Sequence, residues 1–321
     1  MLLDASDRAL IDGWQRDFPI APTPFAAIGA ALGLAEADVL ARLSRLQASG
    51  ALSRVGAVVR PNTAGASTLA ALAAPADLLE AVAAAVIAEP GVNHAYEREH
   101  RYNLWFVVTA PDADSVAAVV ARIEARVGMQ ALVLPLLQDF HIDLGFSIFG
   151  AAAMRPAPRR ATAAQIDRSD RQLLGAIENG LDLVARPFQQ VARRIGWSET
   201  DVLARLSALV AAGIVSRFGI VLRHRHFGYA ANAMAVWDIP DDMLTARAKT
   251  FAAHDFVTLC YERPRRADWP YNLFTMIHGR ERGTALAHVE QLAALAPEAR
   301  ARDVLFSQRC FRQRGARLSA A

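Results

Sequence analysis

The sequence predicts an α+β protein made by tandem duplication, each copy a winged helix-turn-helix followed by a βαββαβ domain. Three observations carry this prediction. The string DVLARLS stands at positions 38–44 and again, identical, at positions 201–207, an offset of 163 residues. The same offset aligns Ser6-Asp7-Arg8 with Ser169-Asp170-Arg171, Gly50 with Gly213, and Ser53-Arg54-Val55-Gly56 with Ser216-Arg217-Phe218-Gly219. Within each copy, three short helical patterns and a strand precede an alternation of strands and helices. A repeat of this length is a duplicated domain, not a solenoid unit.

Each copy opens with a helix, over 6–17 and 169–178. A second helix starts at a proline, over 24–32 and 187–195, since proline is favoured in a first helical turn. A third follows an acidic start, over 36–49 and 199–212, and Gly50 or Gly213 stops it. Short apolar strands come next, 52–59 and 215–222. The first copy then reads as strand 67–74, helix 76–88, strands 92–99 and 103–110, helix 114–127 and strand 130–142. The second reads as strand 230–239, helix 241–254, strands 257–265 and 271–279, helix 282–295 and strand 302–313. That order is the ferredoxin-like split. The expected domains are 1–62 and 63–150, a Pro- and Ala-rich linker over 151–166, then 167–227 and 228–321.

The chain is 53% hydrophobic, yet no run of some twenty apolar residues is free of charge. No basic, apolar leader opens it. The two cysteines, Cys260 and Cys310, show no metal or redox spacing, and reduced thiols in a cytoplasmic protein are expected. Charge is uneven. Residues 1–150 hold 10 basic and 16 acidic groups; the remainder holds 25 and 16. All basic residues but Lys249 are arginine. Composition bias accounts for the arginines but not for the asymmetry, which points to an anionic ligand facing the second copy.

The architecture resembles the Lrp/AsnC regulators, which implies amino-acid binding, oligomerisation and DNA recognition. The third helices argue against DNA. They open Ala35-Glu36-Ala37-Asp38 and Ser198-Glu199-Thr200-Asp201, and carboxylates there suit the helix dipole but repel phosphate.

Other strings are more specific. The second copy holds Asn232-Ala233-Met234-Ala235-Val236-Trp237, Cys260-Tyr261-Glu262-Arg263, Trp269-Pro270-Tyr271-Asn272-Leu273-Phe274 and Met276-Ile277-His278-Gly279. The first holds Tyr96-Glu97-Arg98, Tyr102-Asn103-Leu104 and Asp139-Phe140-His141-Ile142-Asp143-Leu144-Gly145-Phe146. Over about 300 residues these resemble the two subunit types of siroheme decarboxylase, fused in one chain. The resemblance implies loss of carbon dioxide from the C12 and C18 acetates of siroheme. The product, 12,18-didecarboxysiroheme, leads to haem d1 or to haem by an alternative route. It implies no organic cofactor, the iron arriving with the substrate. From composition and the acidic third helices a soluble chain with no nucleic-acid partner is expected; the oligomeric state is open, a homodimer being one option.

Siroheme carries eight carboxylates on a flat apolar ring. Its site needs an apolar floor and arginines at the rim. Met234, Val236, Trp237, Phe274 and Met276 are expected as floor, and Arg217, Arg223, Arg225, Arg263, Arg265 and Arg266 as rim. Decarboxylation requires a general acid, for which histidine is suited. The candidate catalytic residues are His224, His226, His278 and Arg217. Arg223, Met234, Trp237, Tyr261, Arg263, Tyr271 and Asn272 are candidate substrate contacts. His224 and His226 would share a face of an extended segment; as a metal pair they have no evident third ligand, so no metal site is expected. His141, between two carboxylates, is a weaker candidate. His94, His100, His254 and His288 lack such a setting.

The copies differ where chemistry is expected. At the offset of 163, His224 aligns with Pro61, His226 with Thr63 and Asn232 with Leu69, while Arg223 keeps its match in Arg60. His278 aligns with Thr109 at an offset of 169. The expectation is one competent pocket, mainly in the second copy. A tetrapyrrole carrier or sensor without catalysis would use the same residues.

Overall fold

The computed structural model describes residues 2–142, 145, 147–149 and 166–315. The 151–166 segment read as a linker lies outside the described residues except for Ile166, as do Asp143, Leu144 and Phe146.

The first copy contains α1 (Ala5–Gly13), α2 (Pro24–Leu32), α3 (Glu36–Ala48), β1 (Leu52–Val59), β2 (Ala66–Leu72), α4 (Leu79–Ala88), β3 (Val92–Arg98), β4 (Leu104–Ala110), α5 (Ala113–Val127), β5 (Leu132–Pro135) and β6 (Gln138–Ile142). The second contains α6 (Arg168–Ala176), α7 (Pro187–Ile195), α8 (Glu199–Ala211), β7 (Val215–Leu222), β8 (Ala231–Asp238), α9 (Asp241–Ala252), β9 (Val257–Glu262), β10 (Leu273–Gly279), α10 (Arg282–Ala294) and β11 (Ala301–Gln313). Two local expectations change. The last strand of the first copy breaks at Leu136-Leu137 into β5 and β6. The segment after β7 is not extended but a 3-10 turn, His224–Phe227, closed by Gly228 at φ 85°.

The repeated strings are linked by charge. Asp4 and Asp7 form a capping box on α1, and Asp167 and Asp170 form its duplicate on α6. The Asp7 carboxylate accepts from Arg42 at 2.8 Å and Arg45 at 2.7 Å. Asp170 accepts from Arg205 at 2.6 Å. Arg42 and Arg205 are the arginines of the two DVLARLS strings. Both aspartates are buried, so each ion pair ties α1 to α3, or α6 to α8, from inside the module.

The two helical modules share one core, including Leu10, Phe25, Ile28 and Leu43 from the first and Leu174, Phe188, Leu206 and Ile220 from the second. Their wing strands β1 and β7 pair antiparallel, with Gly56 opposite Gly219 at the centre. Glycine is required at 219. Ile220 N donates to Trp14 O at 2.7 Å, and a Cβ on residue 219 would stand 2.5 Å from that same oxygen.

The remaining strands run in the order β5-β2-β4-β3-β11-β8-β10-β9-β6. Each copy keeps ferredoxin-like pairing, but its last strand crosses into the other copy. Ala301–Phe306 of β11 pairs with β8, and Ser307–Gln313 pairs with β3. Likewise β5 pairs with β2 while β6 pairs with β9. Helices α4 and α5 cover one outer face and α9 and α10 the other. Between the two half-sheets lies an apolar layer of Leu69, Trp105, Met234, Val236, Trp269, Phe274 and Met276.

Pairing also corrects the register between copies. Ala66 faces Ala110 as Ala231 faces Gly279. The equivalent of Asn232 is therefore Ser67, not Leu69, and Leu69 matches Met234. The two-residue slip falls before β2, in the segment that holds the 3-10 turn of the second copy. No single helix among the described residues is long and apolar enough to cross a membrane.

Candidate active site

A cavity of about 1830 Å³ lies between the paired wings and the facing half-sheets. That exceeds the roughly 300–1,000 Å³ of sites for drug-sized ligands. Both copies line it, so the expectation of a pocket mainly within the second copy is corrected. The crossing of β6 and β11 is the reason.

Leu69, Trp105, Val107, Met234, Leu259 and Met276 give the cavity an apolar lining. Its rim is cationic. Among the described residues ten arginines and Lys249 line it, against three carboxylates, Asp17, Asp139 and Glu178. Three of the arginines, Arg98, Arg217 and Arg263, are buried, and Arg54 is half-buried. Burial lowers the Arg98 guanidinium to about 10; it donates to Leu305 O at 2.9 Å and touches Met276 Sδ at 4.0 Å. Burial, reinforced by Arg16 and Arg54, lowers Arg217 to about 9; it donates to Gln15 O at 3.1 Å. Burial also lowers Arg54 and Arg263, which donate to Ala57 O and Leu134 O. Among the described residues none of these four meets a carboxylate. A buried cation without a counter-charge costs several kcal/mol.

His278 sits on β10 in a defined chain of hydrogen bonds. Thr258 Oγ1 donates to Met276 O at 3.1 Å, so it can accept from His278 Nδ1 at 2.9 Å. Asn232 Nδ2 lies 2.9 Å from Nε2; with that amide group donating, the imidazole proton is assigned to Nδ1. Burial first, then the charges of His224, Arg98 and Arg225, lowers this imidazole to about 3. It is neutral at ordinary pH.

His224 and His226 are carried by the 3-10 turn, so they do not share an extended face. The His224 ring lies 5.8 Å from that of His278 and 6.4 Å from Tyr229. His226 lies against Gly50 of the other module. Arg225 holds the turn to β11, donating to Ser307 O at 2.8 Å. Ser307 pairs with Arg98, and Cys310 with Tyr96. The histidine end thus combines His224, His278 and Arg225 of the second copy with Tyr96 and Arg98 of the first. Tyr261 stands opposite Asp139 of β6, and the Arg263 guanidinium lies over the Tyr261 ring.

The cavity gathers His224, His226, His278, Arg217, Arg223, Met234, Tyr261 and Arg263. Trp237, Tyr271 and Asn272 lie outside it. Strand alternation turns Met234 and Val236 inward and Trp237 outward, against Phe251 of α9. Asn272 clamps Ile239, accepting from its N–H and donating to its carbonyl at 2.9 Å each. Asn103 clamps Ala74 the same way. Tyr271 packs edge-on against Trp269. Arg265 and Arg266 are also outside; Arg265 pairs with Asp238 and Asp241, and Arg266 donates to Val133 O.

Sequence reasoning missed His94, Arg312 and Arg314, which line the cavity. His94 is lowered to about 4 by burial and then by Arg54. Arg54 was legible as a repeated residue, since Ser-Arg-x-Gly recurs with Arg217. His94 has no match in the second copy, where Leu259 takes its place.

Comparison with known proteins shows the family of the chain. The AsnC-like ligand binding domain matches residues 64–141 and 226–312, and the siroheme decarboxylase NirDL-like HTH domain matches 7–52 and 170–215. The siroheme decarboxylase NirDL subunit of Paracoccus denitrificans is 46% identical over 99% of both chains. A siroheme decarboxylase of Hydrogenobacter thermophilus is 32% identical, covering 83% of this chain and 81% of its own. The crystal structure of the siroheme decarboxylase NirDL in complex with an iron-uroporphyrin III analogue superposes with a TM-score of 0.69 at 27% identity, over 98% of this chain and 94% of that one. By fold, by both domain types and by near full-length identity, the chain belongs to the siroheme decarboxylase family.

Proposed function

We propose that the chain removes the C12 and C18 acetate carboxyls of siroheme to give 12,18-didecarboxysiroheme, for haem d1 or haem formation. The observation that carries this is the set of three buried arginines, Arg98, Arg217 and Arg263, that meet no carboxylate among the described residues, with the half-buried Arg54 beside them, around an apolar floor with histidines at one end. The flat ring lies on Met234 and Met276. Its carboxylates take Arg98, Arg217, Arg223 and Arg263 as donors.

At each acetate the bond from methylene to carboxylate breaks, carbon dioxide leaves, and the methylene carbon gains one proton to become methyl. Ionised acetate is the reactive form, and Arg223 favours it. A general acid must supply the proton. His278 has its proton turned to Thr258, so we assign delivery to His224, with His278 positioning it and His226 contacting the substrate carboxylate. This reading draws on no organic cofactor. The iron is part of the substrate. It also needs no nucleic acid: the α3 and α8 arginines Arg42, Arg45 and Arg205 are engaged by Asp7 and Asp170. With both cysteines free, it is a cytoplasmic activity.

Anaerobic incubation with siroheme, followed by mass spectrometry, tests the proposal. Loss of the mass of two carbon dioxide molecules is expected. Bound but unchanged siroheme would make the chain a carrier.

A further inference from the structure

We infer that Asp139 selects the orientation in which the tetrapyrrole enters, by neutralising Arg60, the duplicate of Arg223. The inference rests on the decarboxylase reading.

Arg60 follows the first wing strand and Arg223 the second. Each donates to the turn glycine of the other module, Arg60 Nε to Gly213 O at 3.3 Å and Arg223 Nη1 to Gly50 O at 3.0 Å. To this point the two arginines are equivalent. The last strands then break the symmetry. On β6, Asp139 stands opposite Tyr261; on β11, Cys310 stands opposite Tyr96. Tyr96 and Tyr261 are duplicates, so Cys310 occupies the place of Asp139. Arg60 Nη1 donates to Asp139 Oδ2 at 2.6 Å. Arg223 meets no carboxylate among the described residues, and its charge reaches a thiol instead.

A substrate with carboxylates around its whole rim fits a duplicated cavity in two orientations related by the pseudo-two-fold. Two available arginines would accept both. Asp139 occupies one arginine and presents its own charge to an incoming carboxylate, which penalises that orientation. The surviving orientation places a carboxylate on Arg223, next to the turn that carries His224 and His226.

Iron uroporphyrin III serves as a binding probe by absorbance titration, and siroheme as the turnover probe. Asp139→Asn should bind the probe about five- to tenfold more tightly, as expected for one released charge-assisted hydrogen bond, while kcat and KM on siroheme fall together through non-productive binding. Combining Arg60→Gln with Asp139→Asn should return both readouts towards the parent chain. Cys310→Asp should weaken probe binding by about tenfold. Unchanged binding and turnover in Asp139→Asn would overturn the inference. So would a double variant that stays as slow as Asp139→Asn, or unweakened binding in Cys310→Asp. If the parent chain binds the probe but leaves siroheme intact, the decarboxylase reading fails, while the binding comparisons still decide the role of Asp139.

Discussion

Arg98 and Arg263 occupy equivalent places in the two copies, and each donates to a backbone carbonyl of the other copy's last strand, Leu305 for Arg98 and Leu134 for Arg263. The two buried cations are thereby built from both copies at once. Each acceptor lies where the last strand still pairs within its own copy, Leu305 beside β8 and Leu134 beside β2, so the contact joins the two half-sheets across the apolar layer.

Arg98→Met should weaken binding of iron uroporphyrin III roughly ten- to hundredfold, the range for a hydrogen bond to a charged group. Its thermal midpoint should hold or rise. The side chain is buried and meets no carboxylate among the described residues, and an apolar residue of similar length removes that desolvation cost. Absorbance titration and thermal melting check the two halves of the prediction.

Acid should destabilise the chain through His278 and His94. Both fold with pKa values lowered by burial, to about 3 and about 4. Above the unfolded value near 6.5 both states are neutral and the native state bears no penalty. As pH falls below 6.5 the unfolded chain binds protons first, so stability is lost progressively down to the folded values, at up to roughly 1.4 kcal/mol per pH unit and histidine. Denaturant melts between pH 7 and 4 should show a shallower loss in His278→Asn than in the parent chain.

Thr258→Val should lower turnover by about tenfold or more while leaving probe binding within about twofold. Thr258 sets the His278 tautomer through its own bond to Met276 O, and fixing the tautomer of a functional imidazole is a positioning role. Thr258→Ser keeps the hydroxyl and should recover turnover. A purely structural role would lower the melting temperature in both variants and leave the kcat of the folded protein unchanged.

Asn272→Ala should cost about 1–3 kcal/mol of stability with KM for siroheme unchanged, because it strands the buried N–H of Ile239, whose carbonyl keeps only Arg265. Asn103→Ala should behave alike at Ala74. A raised KM in Asn272→Ala would return this residue to the substrate contacts.

Much of the molecule was legible in one dimension. The repeated strings gave away the duplication, and capping boxes, helix-opening prolines and glycine stops are local signals that depend only on neighbours in sequence. Arg98 and Arg263 were visible as a repeated pair, and His224, His226 and His278 as unrepeated histidines. Trp237 was misplaced for a simple reason. Its motif runs along one strand, and alternation sends every second residue of that motif to the helices.

The sequence by itself determined the two copies, their elements and the types of group available for chemistry, because these follow from local periodicity and from comparing the chain with itself. Only the tertiary structure decided which copy meets which. The last strand of each copy leaves its own half-sheet and pairs with the other, a long-range choice made by strand pairing and burial across the whole chain. That choice places Arg98 and Tyr96 at the end of the cavity where the His224 turn is held, and leaves Asp139 on Arg60.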